Sequence, residues 1–361
     1  MHSRERIIQT IRHKEPDKVP AHINATKWVV KKLKNALLMD TDTDLLKALH
    51  IDVYDMRGID LHTGTVPRYT GPENEFFPES WGGNITSFWR IREFENKTLA
   101  GWTLDNESPP LSWATEIMEC ENYQWPSCDW FDFVTLSEQL DEWSDFSILA
   151  TGGSVFQHPT FLRGMDTLMI DMASYPGMAH YFLDKFTDFY YEYFRRIFQS
   201  AAEKIDVFAL ADDFGMQNSL LISAQMFDDF IAPRLKKMID LAHEYDICFL
   251  LHSCGNIKEL IPRLIDLGVD ILDPVQPESM DPIEVKKEYG NQICLRGGIS
   301  TQKTLTNGSV RDVKDETKRI IDHLAPGGGY ILSPGHPVLQ DEIPIKNIIA
   351  MYETAYEFGF D

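Results

Sequence analysis

Two soft metal ligands stand two residues apart at the end of an apolar run. The run is ICFLLHSCGN, Ile247 to Asn256, and the ligands are His252 and Cys254. On an extended chain, residues i and i+2 project to the same face, so imidazole and thiol converge. That pairing suits zinc, and a catalytic zinc needs only one further protein donor plus an open position. Spacing alone leaves room for a buried His beside a structural Cys, since free Cys is among the most buried residue types. Further polar side chains follow other apolar runs: Asn24, Arg57, Asp60, Gln157, His158, Asp212, Asp213, Gln276, Glu278, Arg296 and His336. His336, in SPGHP, is the leading third donor, against a solvated loop His, with Asp212, Asp213 and Glu278 as alternatives. Asp212 and Asp213 are the candidate catalytic carboxylates, to orient His252 or handle a proton; a helix N-cap is the competing role.

The elements that must position these groups alternate along the chain. Apolar segments near 19–24, 51–56, 147–151, 207–211, 247–252, 269–272, 293–297 and 329–333 read as eight strands, with helical stretches between most of them. That pattern predicts an α/β fold, a (β/α)8 TIM barrel, whose active sites form at the C-terminal strand ends. Residues 57–130 break the rhythm and are rich in Trp, Pro, Gly and Asn. They read as an inserted β-hairpin region after the second strand, lying over the barrel mouth. Trp81, Trp89 and Trp102 from it, with Phe156 and His158, are expected to shape a substrate pocket. No repeat or low-complexity tract appears, so 1–361 reads as one domain. Gly297-Gly298 and Gly327 to Gly329 match no nucleotide fingerprint and read as tight turns.

Composition excludes several classes. A net charge of −22 over 361 residues opposes nucleic acid and anionic membranes as partners. No stretch reaches the roughly 18 apolar residues of a membrane span. The charged start, MHSRER, has no apolar stretch after it and reads as no export signal. Five scattered cysteines, an odd number, read as reduced thiols, so the expected setting is cytoplasmic. An oligomer is compatible with all of this.

Several stretches together resemble the uroporphyrinogen decarboxylase superfamily: RERIIQTIRHKEPDKVP (4–20), ADDFGMQ (211–217), FIAPR (230–234), HSCGN (252–256), GGISTQ (297–302) and GGGYILSPGH (327–336). The resemblance runs nearly the whole chain in order and implies a (β/α)8 barrel. It also implies one of two chemistries. Decarboxylases use no metal and grip an acidic tetrapyrrole with arginines and an aspartate. Corrinoid-dependent methyltransferases place a catalytic zinc on a His-x-Cys pair plus a later ligand. The decarboxylases' arginine-bearing motif after the first strand is absent from INATKW (23–28), whereas His252-x-Cys254 is present. Where thiol-using relatives carry a last Cys ligand, this chain has His336.

The resemblance therefore favours a methyltransferase with zinc on His252, Cys254 and His336. It would move a methyl group between a small O-, N- or S-methyl compound, or a thiol, and a corrinoid on a carrier protein. Asn24, Arg57, Asp60, Trp81, Phe156, His158, Gln276, Glu278 and Arg296 are the expected substrate-binding residues. The alternatives are a decarboxylase of an acidic substrate, served by Arg57, Asp60 and Arg296, and a barrel that binds without catalysis.

Overall fold

The computed structural model describes residues 1–57, 67–72, 87–91, 93–96, 101–104, 109–336 and 338–358. Asp60 and Trp81 lie outside them. Seven parallel strands form one sheet in sequence order: β1 (Val53–Asp55), β2 (Ser147–Thr151), β3 (Ile205–Ala211), β4 (Cys248–His252), β5 (Ile271–Val275), β6 (Cys294–Ile299) and β7 (Tyr330–Pro334). Parallel neighbours require crossover connections, and helices supply most of them. Gln157–Arg163, Met165–Ser174 and Pro176–Ala201 follow β2, Ala232–Glu244 follows β3, and Ile261–Leu267 follows β4. Pro282–Tyr289, Val310–Leu324 and Ile345–Glu357 follow β5, β6 and β7. The strands are buried along nearly their whole length, which is why they read as continuous apolar runs and not as alternating ones. This is a TIM-like α/β architecture.

Helix boundaries follow local chemistry. Ser309 and Asp312 form a reciprocal capping box that starts Val310–Leu324. Pro282, preset for a helical first position behind the Asp281 cap, starts Pro282–Tyr289, a helix that the sequence reading passes over. The long helix Pro176–Ala201 buries Phe182, Phe186, Tyr190, Tyr193, Phe194, Ile197 and Phe198, at helical spacing, against the sheet and its neighbours.

The first expected strand differs. Residues 19–24 form no strand but bridge both edges of the sheet. Pro20 O accepts from Leu332 N (2.8 Å), His22 N donates to Leu332 O (3.0 Å), and Ala21 O accepts from Asp52 N (2.9 Å). Pro20 has no N–H, so a regular ladder cannot continue through it. From the 57–130 stretch, Arg68–Tyr69 pairs antiparallel with Phe131–Asp132 just beyond it, and Glu93–Asn96 pairs with Gly101–Leu104. Trp89, expected at a pocket, is instead fully buried: its ring stacks on Phe186 at 3.8 Å and its Nε1 donates to Tyr190 Oη (2.9 Å). Indole area that large contributes more as core than as a rim.

Candidate metal centre

β3 and β4 run side by side with Ala211 opposite His252, so the residues that leave both strands emerge together. The ladder continues one step further, Asp212 N donating to His252 O (2.9 Å). The two loops then touch backbone to backbone. A Cβ on Gly255 would stand 2.4 Å from the carbonyl carbon of Gly215, and Gly255 has φ +84°. Only glycine fits there, and this close approach brings Asp213 onto Cys254.

Three donors converge as a result. Cys254 Sγ and His252 Nε2 are 3.6 Å apart, and Asp213 Oδ1 is also 3.6 Å from that nitrogen. All three donor atoms lie within 4.8 Å of one another. Tetrahedral ligands bonded to zinc at its usual distances are separated by about 3.4–3.7 Å. The donors are of the types that zinc takes, and both separations at His252 Nε2 fall in that range. Access is open too, since the Asp213 side chain is 37% exposed.

The surroundings fix each donor. Asp213 Oδ1 accepts from Cys254 N (2.8 Å), and its Oδ2 accepts from Gln157 Nε2 (3.1 Å). His252 Nδ1 bonds Asp273 Oδ2 (2.7 Å), which leaves Nε2 toward Cys254 and Asp213. Arg296 Nε in turn donates to Asp273 Oδ1 (2.6 Å). Burial opposes ionisation of Asp273, but Arg296 and the bond from His252 outweigh it and hold the carboxyl below its usual range. Burial likewise disfavours a charged His252, yet Cys254 and Asp273 push its pKa well up. Sequence reasoning misses Asp273. The available signal was an acid inside the apolar segment ILDPV, which must be paired if buried.

The other expected residues scatter. Asp212 is fully buried and accepts from Val155 N (2.9 Å), Phe156 N (2.9 Å), Gln157 N (2.7 Å) and Ser154 Oγ. It holds the start of helix Gln157–Arg163, and burial pushes its carboxyl up to about 6 against those donors. Of the two adjacent carboxylates, Asp213 joins the donors and Asp212 anchors the loop beside them. His336 stands outside the three-donor group, its Nδ1 against Val338 O (3.0 Å), although the charges of His252, Asp213 and Asp273 all act on it.

Glu278 is tied to Ser300 Oγ (2.6 Å) and Gln302 N (3.2 Å), and Gln276 Oε1 accepts from Gly255 N (3.1 Å). Arg57 pairs with buried Asp55 (3.3 Å), and Arg296 with Asp273. His158 Nδ1 meets Tyr190 Oη (2.6 Å), and Phe156 packs near Phe214. Asn24 is buried with its Oδ1 unpaired.

His22 lies behind the centre, its Nδ1 3.1 Å from Arg296 Nη1. Burial, aided by the Arg296 charge, brings its pKa down to about 3 from 6.5. A histidine that ionises more readily unfolded than folded costs stability as pH falls from 6.5 toward 3. Urea unfolding at pH 7 and about pH 4.5 should show an acid-side loss of up to about 2–3 kcal/mol from this group. His22→Gln should shrink that loss, and equal losses in both proteins would contradict the assignment.

Comparison with known proteins places the chain. Methylcobamide:CoM methyltransferase MtaA of Methanosarcina barkeri is 29% identical over 153 residues, 42% of each chain. A uroporphyrinogen decarboxylase of Trichodesmium erythraeum is 30% identical over 188 residues, 51% of this chain and 49% of its own. The matches thus span about half, or less, of these relatives. The solved structure of a methyltransferase from Methanosarcina mazei superposes with a TM-score of 0.71 over 99% of both chains, at 18% identity, which shows a common fold. The family model for uroporphyrinogen decarboxylase (URO-D) matches residues 135–358, more than half of the sequence. The chain belongs to the uroporphyrinogen decarboxylase family.

Proposed function

We propose that this member of the family is a zinc-dependent methyltransferase. It moves a methyl group between a small O-, N- or S-methyl compound, or a thiol, and a corrinoid carried on a partner protein. The observation that carries the reading is the convergence of His252 Nε2, Cys254 Sγ and Asp213 Oδ1, backed by Asp273. Relatives named as methylcobamide:CoM methyltransferases support the reaction class. Zinc held there would supply a Lewis acid for the heteroatom bearing the methyl group, or for a thiolate acceptor.

The chain's own residues do the rest. Asp273 keeps the proton on His252 Nδ1 so that Nε2 offers its lone pair. Asp213, oriented by Gln157 and the Cys254 amide, is the exposed carboxylate able to take the proton of an incoming thiol at Oδ2. Asn24 and His158 are proposed to meet the substrate. All five cysteines are free, which suits a thiolate ligand in a reducing cytoplasmic setting. Among the described residues no helix is long and apolar enough to cross a membrane.

Asp213 and His336 are separable by experiment. Asp213→Ala should weaken metal affinity by more than the roughly 10–100-fold typical of losing an outer partner, and should abolish turnover. His336→Ala should keep its metal. The reverse pattern in metal content would make His336 the third donor.

A further inference from the structure

The hydrogen bonds behind His252 do not stop at Asp273. They run on through Arg296 to His22, crossing β4, β5, β6 and the bridging segment 19–24. Asp273 is 1% exposed, Arg296 6% and His22 1%, so the string lies inside the barrel, where apolar side chains ordinarily fill the layers. Buried charges there carry a desolvation cost that hydrophobic residues of similar size would avoid.

The backbone is shaped to hold the string. Register between β5 and β6 shifts between Leu295 and Gly297, where β5 carries the extra residue, Asp273 and Pro274 together standing opposite Arg296 alone. An irregularity of this kind re-aims a side chain. Gly297, with φ +115°, lets the strand close on Val275 just beyond it. His22 is held on both sides of its peptide, by Leu332 O through its N–H (3.0 Å) and by Tyr352 Oη on its carbonyl (2.9 Å).

Donor and acceptor roles along the string are fixed. A guanidinium only donates, so His22 Nδ1 accepts from Arg296 and its proton sits on Nε2. Arg296 donates through Nε to Asp273, whose other oxygen faces His252 Nδ1. Removing Arg296 leaves Asp273 free to turn, and with it the ring that presents Nε2.

We propose that Arg296 and His22 form a buried strut that orients Asp273, and through it the His252 ring, so that Arg296 is a positioning residue of the metal centre and not a substrate contact. The inference rests on the metal reading above.

The test titrates the metal-free full chain with Co(II), by its visible absorption, and with zinc against a chelator. It compares wild type with Arg296→Met, Arg296→Lys and Asp273→Asn, and records unfolding midpoints of the metal-free forms. Arg296→Met and Asp273→Asn should bind metal roughly 10–100-fold more weakly and shift the Co(II) spectrum. Arg296→Lys, which can still donate to Asp273, should recover part of the loss. If Arg296→Met does not fold, Asp273→Asn and Arg296→Lys decide by themselves. Folded variants that bind Co(II) with wild-type affinity and spectrum, with only their unfolding midpoints lowered, would overturn the strut alone. Failure of the wild type to bind either metal would overturn the metal reading together with it.

Discussion

Cys254→Ala is expected to lose most of its zinc and all measurable methyl transfer while remaining folded. Of the three donors, the thiolate is the one that selects zinc over harder cations. Imidazole and carboxylate alone leave the metal short of the three protein ligands that catalytic sites use. The fold should tolerate the change, because Cys254 lies at the mouth, outside the buried core, and alanine keeps the backbone N–H that bonds Asp213. Elemental analysis of purified wild type and variant measures the first effect, and thermal unfolding checks the second. Full zinc occupancy in Cys254→Ala would remove Cys254 from the centre.

Uroporphyrinogen should yield no coproporphyrinogen with this chain. A substrate with many carboxylates needs arginines whose N–H groups are free, each charged contact contributing roughly 1.5–3 kcal/mol. The two arginines that could serve it, Arg57 and Arg296, are occupied internally. Arg296 is buried against Asp273 and His22, and Arg57 is paired to Asp55. INATKW offers no replacement at 23–28. Product analysis by fluorescence after oxidation to porphyrin would read the outcome. Robust decarboxylation by metal-free protein would overturn the methyltransferase assignment despite the His252 cluster.

Much of the centre was legible because its first layer depends on local geometry. His252 and Cys254 share a face by the two-residue period of a strand, which sequence spacing alone reveals. Seven of the eight apolar segments became strands, because strands of a parallel sheet covered on both faces are apolar throughout. Three features were not legible, each because it depends on contacts between distant segments. The choice between adjacent Asp212 and Asp213 was set by which carboxylate met the free N–H groups of residues 155–157 and which met Cys254. The approach of Asp213 to Cys254 depends on the contact of Gly215 with Gly255. Arg296 reads as a substrate group from its place near a strand end, and its bond to Asp273 depends on a neighbouring strand that no local pattern in β6 reveals. Trp89 illustrates the converse: an aromatic in an irregular stretch reads as a rim residue until the long helix it packs on is seen.

The central claim is tested most directly by following cob(I)alamin spectroscopically with the zinc-loaded chain and a panel of methanol, methylamines, methylated thiols and methoxylated compounds. At least one donor should convert the spectrum to that of methylcob(III)alamin, at a rate that collapses when zinc is stripped and returns when it is restored. A spectrum that stays that of cob(I)alamin with every donor, or a rate unchanged by removing the metal, would contradict the account.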